Sequence, residues 1–252
     1  TGYVGLVTGT CFAGKGNNVC CVDIDDKRIE NLKNGIIPIY EPGLEDLVKK
    51  NSKEGRLSFS TTIKEGLKDA KLCFIAVGTP PTSDGSADLA QVLGALDNIG
   101  TSLSHSCFIV VKSTVPVGTG TLLCKRIKEH MRRRGLEEIN LEILSNPEFL
   151  KEGMAIEDCL SPDRVVIGAS SEEARDVMRE LYLPFADEGK ILFMDPLSAE
   201  ITKYAANTML AARISFMNEI AQLCDKVGAD ILSVKNGIAS DRRIGTAFLN
   251  AG

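Results

Sequence analysis

Several things are missing from this sequence, and each absence closes off a class of protein. No apolar run approaches the roughly 20 residues a helix needs to span a bilayer, so no membrane association is predicted. No stretch has the charged, apolar and small-residue order of a secretory leader. That absence is soft, because the chain opens at Thr1 inside what reads as a motif. Basic clusters are few, chiefly Lys125-Arg126 and Arg132-Arg133-Arg134 on an apparent solvated helix face, and the net charge is −5. Nucleic acid is therefore not an expected partner. The cysteines (Cys11, Cys20, Cys21, Cys73, Cys107, Cys124, Cys159 and Cys224) lack the spacing of a metal site, and no metal is predicted. Most fall inside apolar helix or strand patterns. They read as buried free thiols of a reducing cytosol, so a cytoplasmic location is expected. There is no internal repeat and no low-complexity segment. What remains is 252 residues, 44% hydrophobic and 25% charged, which is a soluble globular composition with room for one large domain or one and a half.

The chain is organised around Thr1 to Asp25. Gly2 and Gly5 stand where the second and third glycines of a G-x-G-x-x-G turn would stand, with the first glycine and its strand expected upstream of Thr1. In that turn one glycine lets the backbone approach a pyrophosphate and the next lets helix pack on strand. The helix N-terminus then presents N–H groups to the phosphates. Val19 to Val22 is an apolar run ending in Asp23, 18 residues after Gly5. An acidic residue about 20 residues on is the expected holder of a ribose. The competing reading is a tight turn in an unrelated α/β protein. A carboxylate at Asp23 favours NAD over NADP. Lys27 and Arg28 temper that preference, unless they are only a solvated first-turn pair.

Short apolar runs alternate with helical ones. Strands are predicted at 19–23, 57–60, 72–77, 107–112, 141–144, 165–168 and 191–194. Helices are predicted at 4–15, 27–34, 44–50, 62–68, 89–103, 121–134 and 172–183. Nearly continuous apolar strands in this rhythm argue for a doubly wound, Rossmann-like parallel sheet. Three successive strands run into loops rich in polar groups and prolines: 78–81, 113–119 and 145–153. Ligands of such sheets bind beyond the carboxyl ends of the strands, so the loops are expected to share a site with the glycine turn. Glu148 and Glu152, four apart, could share one helical face. The proline-braced segment 36–44 carries no chemistry of its own and reads as a packing loop. From Pro196 the style changes to one helix of about 30 residues, 198–227, with Ser198 as a possible cap. It is apolar on more than one face, as a helix between domains or subunits is. Lys203 and Asn207 lie on it four residues apart, either as a buried reactive pair or as part of a solvated first turn. A second helix is expected at 230–237. The domain boundaries expected are 1–196 for dinucleotide binding and 197–252 for a central helical region.

With NAD on the glycine turn, removal of hydride from an alcohol is the natural reaction. Lys203 would take the proton or steady the alkoxide, and Asn207 would orient the oxygen. The same pair would serve a two-electron dehydrogenase acting on a small hydroxyacid. A dimeric NAD-binding module without catalysis also fits.

Eight stretches narrow this: Gly2-Tyr3-Val4-Gly5-Leu6, Val22-Asp23-Ile24-Asp25, residues 37–44, Val77-Gly78-Thr79-Pro80, residues 112–119, residues 146–153, residues 200–207 and Phe248-Leu249-Asn250-Ala251-Gly252. Together, and in this order, they make the chain resemble the UDP-glucose/GDP-mannose dehydrogenase family. The resemblance implies that Gly2, Tyr3, Val4, Gly5, Asp23, Arg28, Thr79, Thr114 and Glu152 contact NAD. It implies a sugar-nucleotide site formed by Glu148, Phe149, Leu150, Lys151, Glu152, Lys203, Asn207, Arg243 and Phe248 to Gly252. Thr114, Glu148, Lys203 and Asn207 would be the polar catalytic groups. Arg243 would reach a neighbouring subunit's substrate, and the long helix would form a homodimer. The implied reaction takes the C6 alcohol of a nucleotide sugar, UDP-glucose by preference, to a carboxylate in two hydride transfers. It passes through a thiohemiacetal and a thioester on a cysteine. That cysteine and a C-terminal domain are expected beyond residue 252, so the chain by itself is expected to be inactive. Cys159 is the one thiol here in loop-like sequence.

Overall fold

A computed structural model describes residues 1–251. It divides into two compact units, Thr1–Glu200 and Ile201–Gly252.

The first unit is built on seven short strands. β1 (Val19–Val22) and β2 (Leu57–Ser60) form a parallel pair. β3 (Leu72–Ile75), β4 (Cys107–Val111), β5 (Leu141–Ser145), β6 (Val165–Gly168) and β7 (Ile191–Met194) form a second sheet in that order. β4 and β6 are apolar runs buried along nearly their whole length. Along β4, Cys107, Ile109 and Val111 enter one core cluster while Val110 enters the other. That alternation follows from the two-residue repeat of a strand. The first cluster includes α1 (Tyr3–Gly14) and α8 (Glu172–Tyr182); the second includes α5 (Ala90–Ser102) and α6 (Thr119–Arg133). The unit is therefore a doubly wound α/β fold. One pairing departs from the all-parallel expectation: β6 meets β5 antiparallel, and only through Ser145 and Gly168. The connection between those strands contains a single six-residue helix, α7 (Ala155–Leu160).

The remaining helices of this unit are α2 (Asp26–Lys33), α3 (Leu44–Lys53) and α4 (Ile63–Gly66). α5 and α6 are fastened by Asp97. Its carboxylate accepts two hydrogen bonds from Arg126, both 2.6 Å, and lies 2.8 Å from His130 Nε2. The Arg126 hydrogen bonds outweigh partial burial and hold the Asp97 carboxyl down at about 2. A carboxyl depressed below its unfolded value stabilises the fold above the unfolded pKa and loses that contribution as pH falls through the folded one. Asp97→Asn is therefore expected to cost about 1 kcal/mol at neutral pH, screened as a partly exposed group is. In urea titrations the gap to the wild type should close between about pH 4 and pH 2. A gap constant over that window would remove Asp97 from the account.

α9 (Pro196–Val227) begins at Pro196 and not at Ser198. Asp195, not Ser198, is the cap: its Oδ1 accepts the Ser198 amide at 2.9 Å. Proline suits the first helical position because its missing N–H would have no partner there. Gly228, at φ 76°, ends the helix. Within the second unit Met217 and Cys224 are buried, while Met209, Phe216, Leu223 and Val227 are exposed. α10 (Ile231–Ala239) follows, capped by Asp230, which accepts the amides of Leu232 and Ser233. Among the described residues no helix is long and apolar enough to cross a membrane.

Candidate active site and cofactor cradle

Gly2 caps α1 with extended backbone, and no side chain accepts from the first-turn amides. A Cβ placed on Gly2 would have no atom within 4 Å, so the space before the helix is open. At Gly5 a Cβ would sit 3.5 Å from that of Ala76, just past β3, so helix and strand end are in contact there. Uncapped amides with room in front of them are what a phosphate needs, so the residues fit the pyrophosphate of NAD.

Asp23 follows β1. Its Oδ2 accepts from the Thr1 hydroxyl at 2.6 Å and from Arg28 Nη1 at 3.0 Å, and the Thr1 backbone nitrogen is 2.9 Å away. Burial pushes the carboxyl up, whereas hydrogen bonds from the Thr1 hydroxyl and the Asp25 amide pull it down. A carboxylate ionised at neutral pH suits ribose hydroxyls and repels a 2′-phosphate. Arg28 is tied to that carboxylate and is not a free cation. Asp23→Asn is expected to weaken NAD about tenfold in a calorimetric titration while NADP is weakened less or gains. Equal losses for the two cofactors would take Asp23 out of the discrimination.

The loops after β3 and β4 are joined. Thr79 Oγ1 donates to the Thr114 carbonyl at 2.8 Å, and Ser113 Oγ to the Val77 carbonyl at 2.6 Å. The loop after β5 is anchored by Asn146, 1% exposed, whose amide donates to the Val111 carbonyl at 2.9 Å. Its side chain donates to the Val166 carbonyl at 2.9 Å and accepts from Lys112 Nζ at 3.2 Å and Tyr182 Oη at 2.5 Å. Thr79, Thr114 and Glu148 are all half-buried.

The expectation of a helical face shared by Glu148 and Glu152 is overturned. Residues 146–151 carry no helix. Pro147 disfavours helical backbone at Asn146, and the Glu148 carboxylate folds back onto the Leu150 amide at 2.7 Å. Phe149 stacks under the Arg164 guanidinium, 4.0 Å from its ring centre, and Lys151 pairs with Asp158 at 2.9 Å. Glu152 is exposed.

Sequence reasoning missed Glu41. It is 5% exposed, and it accepts from Tyr3 Oη at 2.5 Å, from the Gly153 amide at 2.9 Å and from the Ala155 amide at 2.7 Å. The only available signal was a charged residue between two prolines. A recess of about 420 Å³ opens beside it, lined by Pro42, Met154, Ile156 and Leu160 among others.

In the second unit Lys203 is 6% exposed, whereas Asn207, four residues on, is exposed. Arg243 is exposed and paired with Asp241 at 2.6 Å. Arg213 donates to the Ile244 carbonyl at 2.8 Å. Phe248 adopts φ 58°, Leu249 is buried, Ala251 is exposed, and Asn250 Oδ1 accepts from Lys235 at 2.5 Å. Gly252 lies outside the described residues.

Cys159 is not a loop thiol. It lies on α7 against the core, and its proximity together with burial pushes the Cys11 thiol up. All eight cysteines are free, and all are buried or half-buried. Among the described residues no group of His, Cys, Asp and Glu is placed to hold a metal.

A doubly wound sheet with an uncapped glycine helix and an acidic strand end defines a dinucleotide-binding domain of the dehydrogenase class. The profile of the UDP-glucose/GDP-mannose dehydrogenase family, NAD binding domain, matches residues 1–186, and that of the family's central domain matches residues 197–252. The chain belongs to the UDP-glucose/GDP-mannose dehydrogenase family. A UDP-glucose 6-dehydrogenase of Pseudomonas aeruginosa is 48% identical over all of this chain and 55% of its own length. A UDP-glucose 6-dehydrogenase of Bacillus subtilis is also 48% identical, over all of this chain and 56% of its length. The chain thus spans about half the length of the curated relatives it matches. Among solved structures, a UDP-glucose dehydrogenase from Pyrobaculum islandicum superposes with a TM-score of 0.93 at 40% identity, over 100% of this chain and 57% of the other. A GDP-mannose dehydrogenase from Pseudomonas aeruginosa gives 0.89 at 33% identity, over 96% and 56%.

Proposed function

We propose that this chain supplies the NAD-binding domain (1–196) and the central region (197–252) of a cytoplasmic, homodimeric enzyme. The enzyme oxidises the C6 alcohol of UDP-glucose to the carboxylate of UDP-glucuronate. The observation that carries the reading is the gathering of the Thr79, Thr114 and Glu148 loops at the strand ends beside an uncapped glycine helix. The substrate follows from the names of relatives that are 48% identical over the whole chain. The balance is one alcohol, one water and two NAD giving one carboxylate, two NADH and three protons. When bound, NAD accepts the two hydride equivalents. Asp23 and Arg28 hold its adenosine end, and the first turn of α1 holds its phosphates. Thr114, Glu148, Lys203 and Asn207 are the polar groups that bind the sugar's oxygens and move protons. Glu148 and Glu152 suit the handling of the hydrolytic water and of the cofactor's ribose. Phe149 to Lys151, Arg243 and Phe248 to Gly252 contact the nucleotide sugar. The thiol that captures the aldehyde is assigned outside these 252 residues, because none of the eight cysteines is exposed.

The test is the NADH formed per UDP-glucose consumed by the protein containing this chain. Two per sugar supports the four-electron route. One per sugar replaces it with a two-electron dehydrogenase. None, with NAD still bound, moves the assignment to another sugar nucleotide or to a binding module.

A further inference from the structure

The proline-braced segment that holds Glu41 contributes nothing to the chemistry assigned above, yet it buries a carboxylate. Burial pushes the Glu41 carboxyl up, but the Tyr3 hydroxyl and the amides of Gly153, Ala155 and Ile156 outweigh it, and the group stays ionised. Two donors have lengths of 2.5 and 2.7 Å, as expected when the acceptor is charged. The Tyr3 and Gly153 donors come from two separate pieces of the proposed cofactor site. Tyr3 stands between Gly2 and Gly5 and is the first residue of α1. Gly153 follows Glu152 directly, at the end of a loop with no regular structure of its own. Glu41 is itself fixed: Pro42 follows it, and its carbonyl accepts the Leu44 amide at 3.1 Å where α3 begins.

We propose that Glu41 is a positioning residue of the NAD site, clamping the first turn of α1 to the loop that carries Glu152. The clamp sets the phosphate-facing amides against that loop before cofactor arrives, so binding does not have to order them. The proposal rests on the NAD-site reading given above.

The experiment is calorimetric titration of NAD into the full chain as wild type, Glu41→Gln, Tyr3→Phe and the double variant, with urea unfolding of each. Glu41→Gln keeps the shape and removes the charge; it is expected to weaken NAD about tenfold. Tyr3→Phe should cost a comparable factor. The double variant should bind about as weakly as the weaker single one, because both changes break the same contact. Additive losses would overturn the clamp, and so would a stability loss in Glu41→Gln with NAD affinity unchanged. Should Glu41→Gln not fold, Tyr3→Phe decides alone, since it leaves the carboxylate on its amides; wild-type affinity there overturns the proposal. A wild type that binds no NAD would overturn the cofactor-site reading, and the clamp with it.

Discussion

In the whole enzyme proposed above, Lys203→Met is expected to lower turnover of UDP-glucose by about a hundred- to ten-thousand-fold, the usual worth of a positioned proton-transfer group. NAD affinity should be unchanged. Lys203 is one of twelve buried polar or charged side chains among the described residues. A long cationic side chain does not leave water without a reason in charge pairing or in chemistry. Methionine keeps the length and the apolar stem, so packing is preserved while the ammonium is lost. The competing account is structural. If the ammonium only balances a buried charge, removing it strands that charge and costs about 3–5 kcal/mol of stability. The two accounts separate in one pair of measurements. A collapse of kcat with the unfolding midpoint intact places Lys203 in the reaction. A large fall in the midpoint, with kcat per folded molecule preserved, places it in the scaffold. Single-turnover NADH formation would show whether the first oxidation or the second is slowed.

What the sequence disclosed and what it hid divide along physical lines. Strands such as Cys107–Val111 were legible because burial on both faces leaves almost no polar residue in them. The glycine turn and Asp23 were legible because backbone approach and ribose binding tie residue types to fixed spacings. Features made by distant partners were not. Glu41 meets Gly153 and Ala155 across 112 and 114 positions, and no local pattern encodes that. The Lys112–Asn146 contact joins the ends of two strands 34 positions apart. α7 escaped notice because six residues are too few to display a helical period, and its N-terminal amides are capped by Glu41 from elsewhere in the chain. Glu148 and Glu152 misled in the opposite direction. Their spacing fits a helix, but Pro147 and the Glu148 contact with the Leu150 amide make a loop. The antiparallel contact of β6 with β5 was equally invisible, because an apolar run reports burial and not direction.

In the homodimer proposed above, Phe216→Glu is expected to separate the subunits. α9 has Met209, Phe216 and Leu223 exposed at intervals of seven residues, with Val227 one turn further on. Such a spacing repeats one face of a helix and is the seam along which two helices pack. Scattered apolar residues on a surface need no explanation, but a continuous stripe along one long helix does. Burying a Phe or Leu side chain is worth about 1.5–3 kcal/mol, and a two-fold interface contains each residue twice. Placing a carboxylate there removes that gain and adds the cost of burying charge next to its own copy. The dimer dissociation constant should therefore rise by about a thousandfold or more. Sedimentation velocity over a concentration series reads this directly. Leu223→Glu should act in the same way, whereas a change at exposed Asp225 should do little. Arg243 gives the prediction a functional edge. If it reaches the neighbouring subunit's substrate, as the family resemblance implies, monomerisation raises KM for the nucleotide sugar while NAD binding stays intact. A Phe216→Glu protein that remains dimeric would mean that the stripe on α9 is covered by something other than a second copy of this chain.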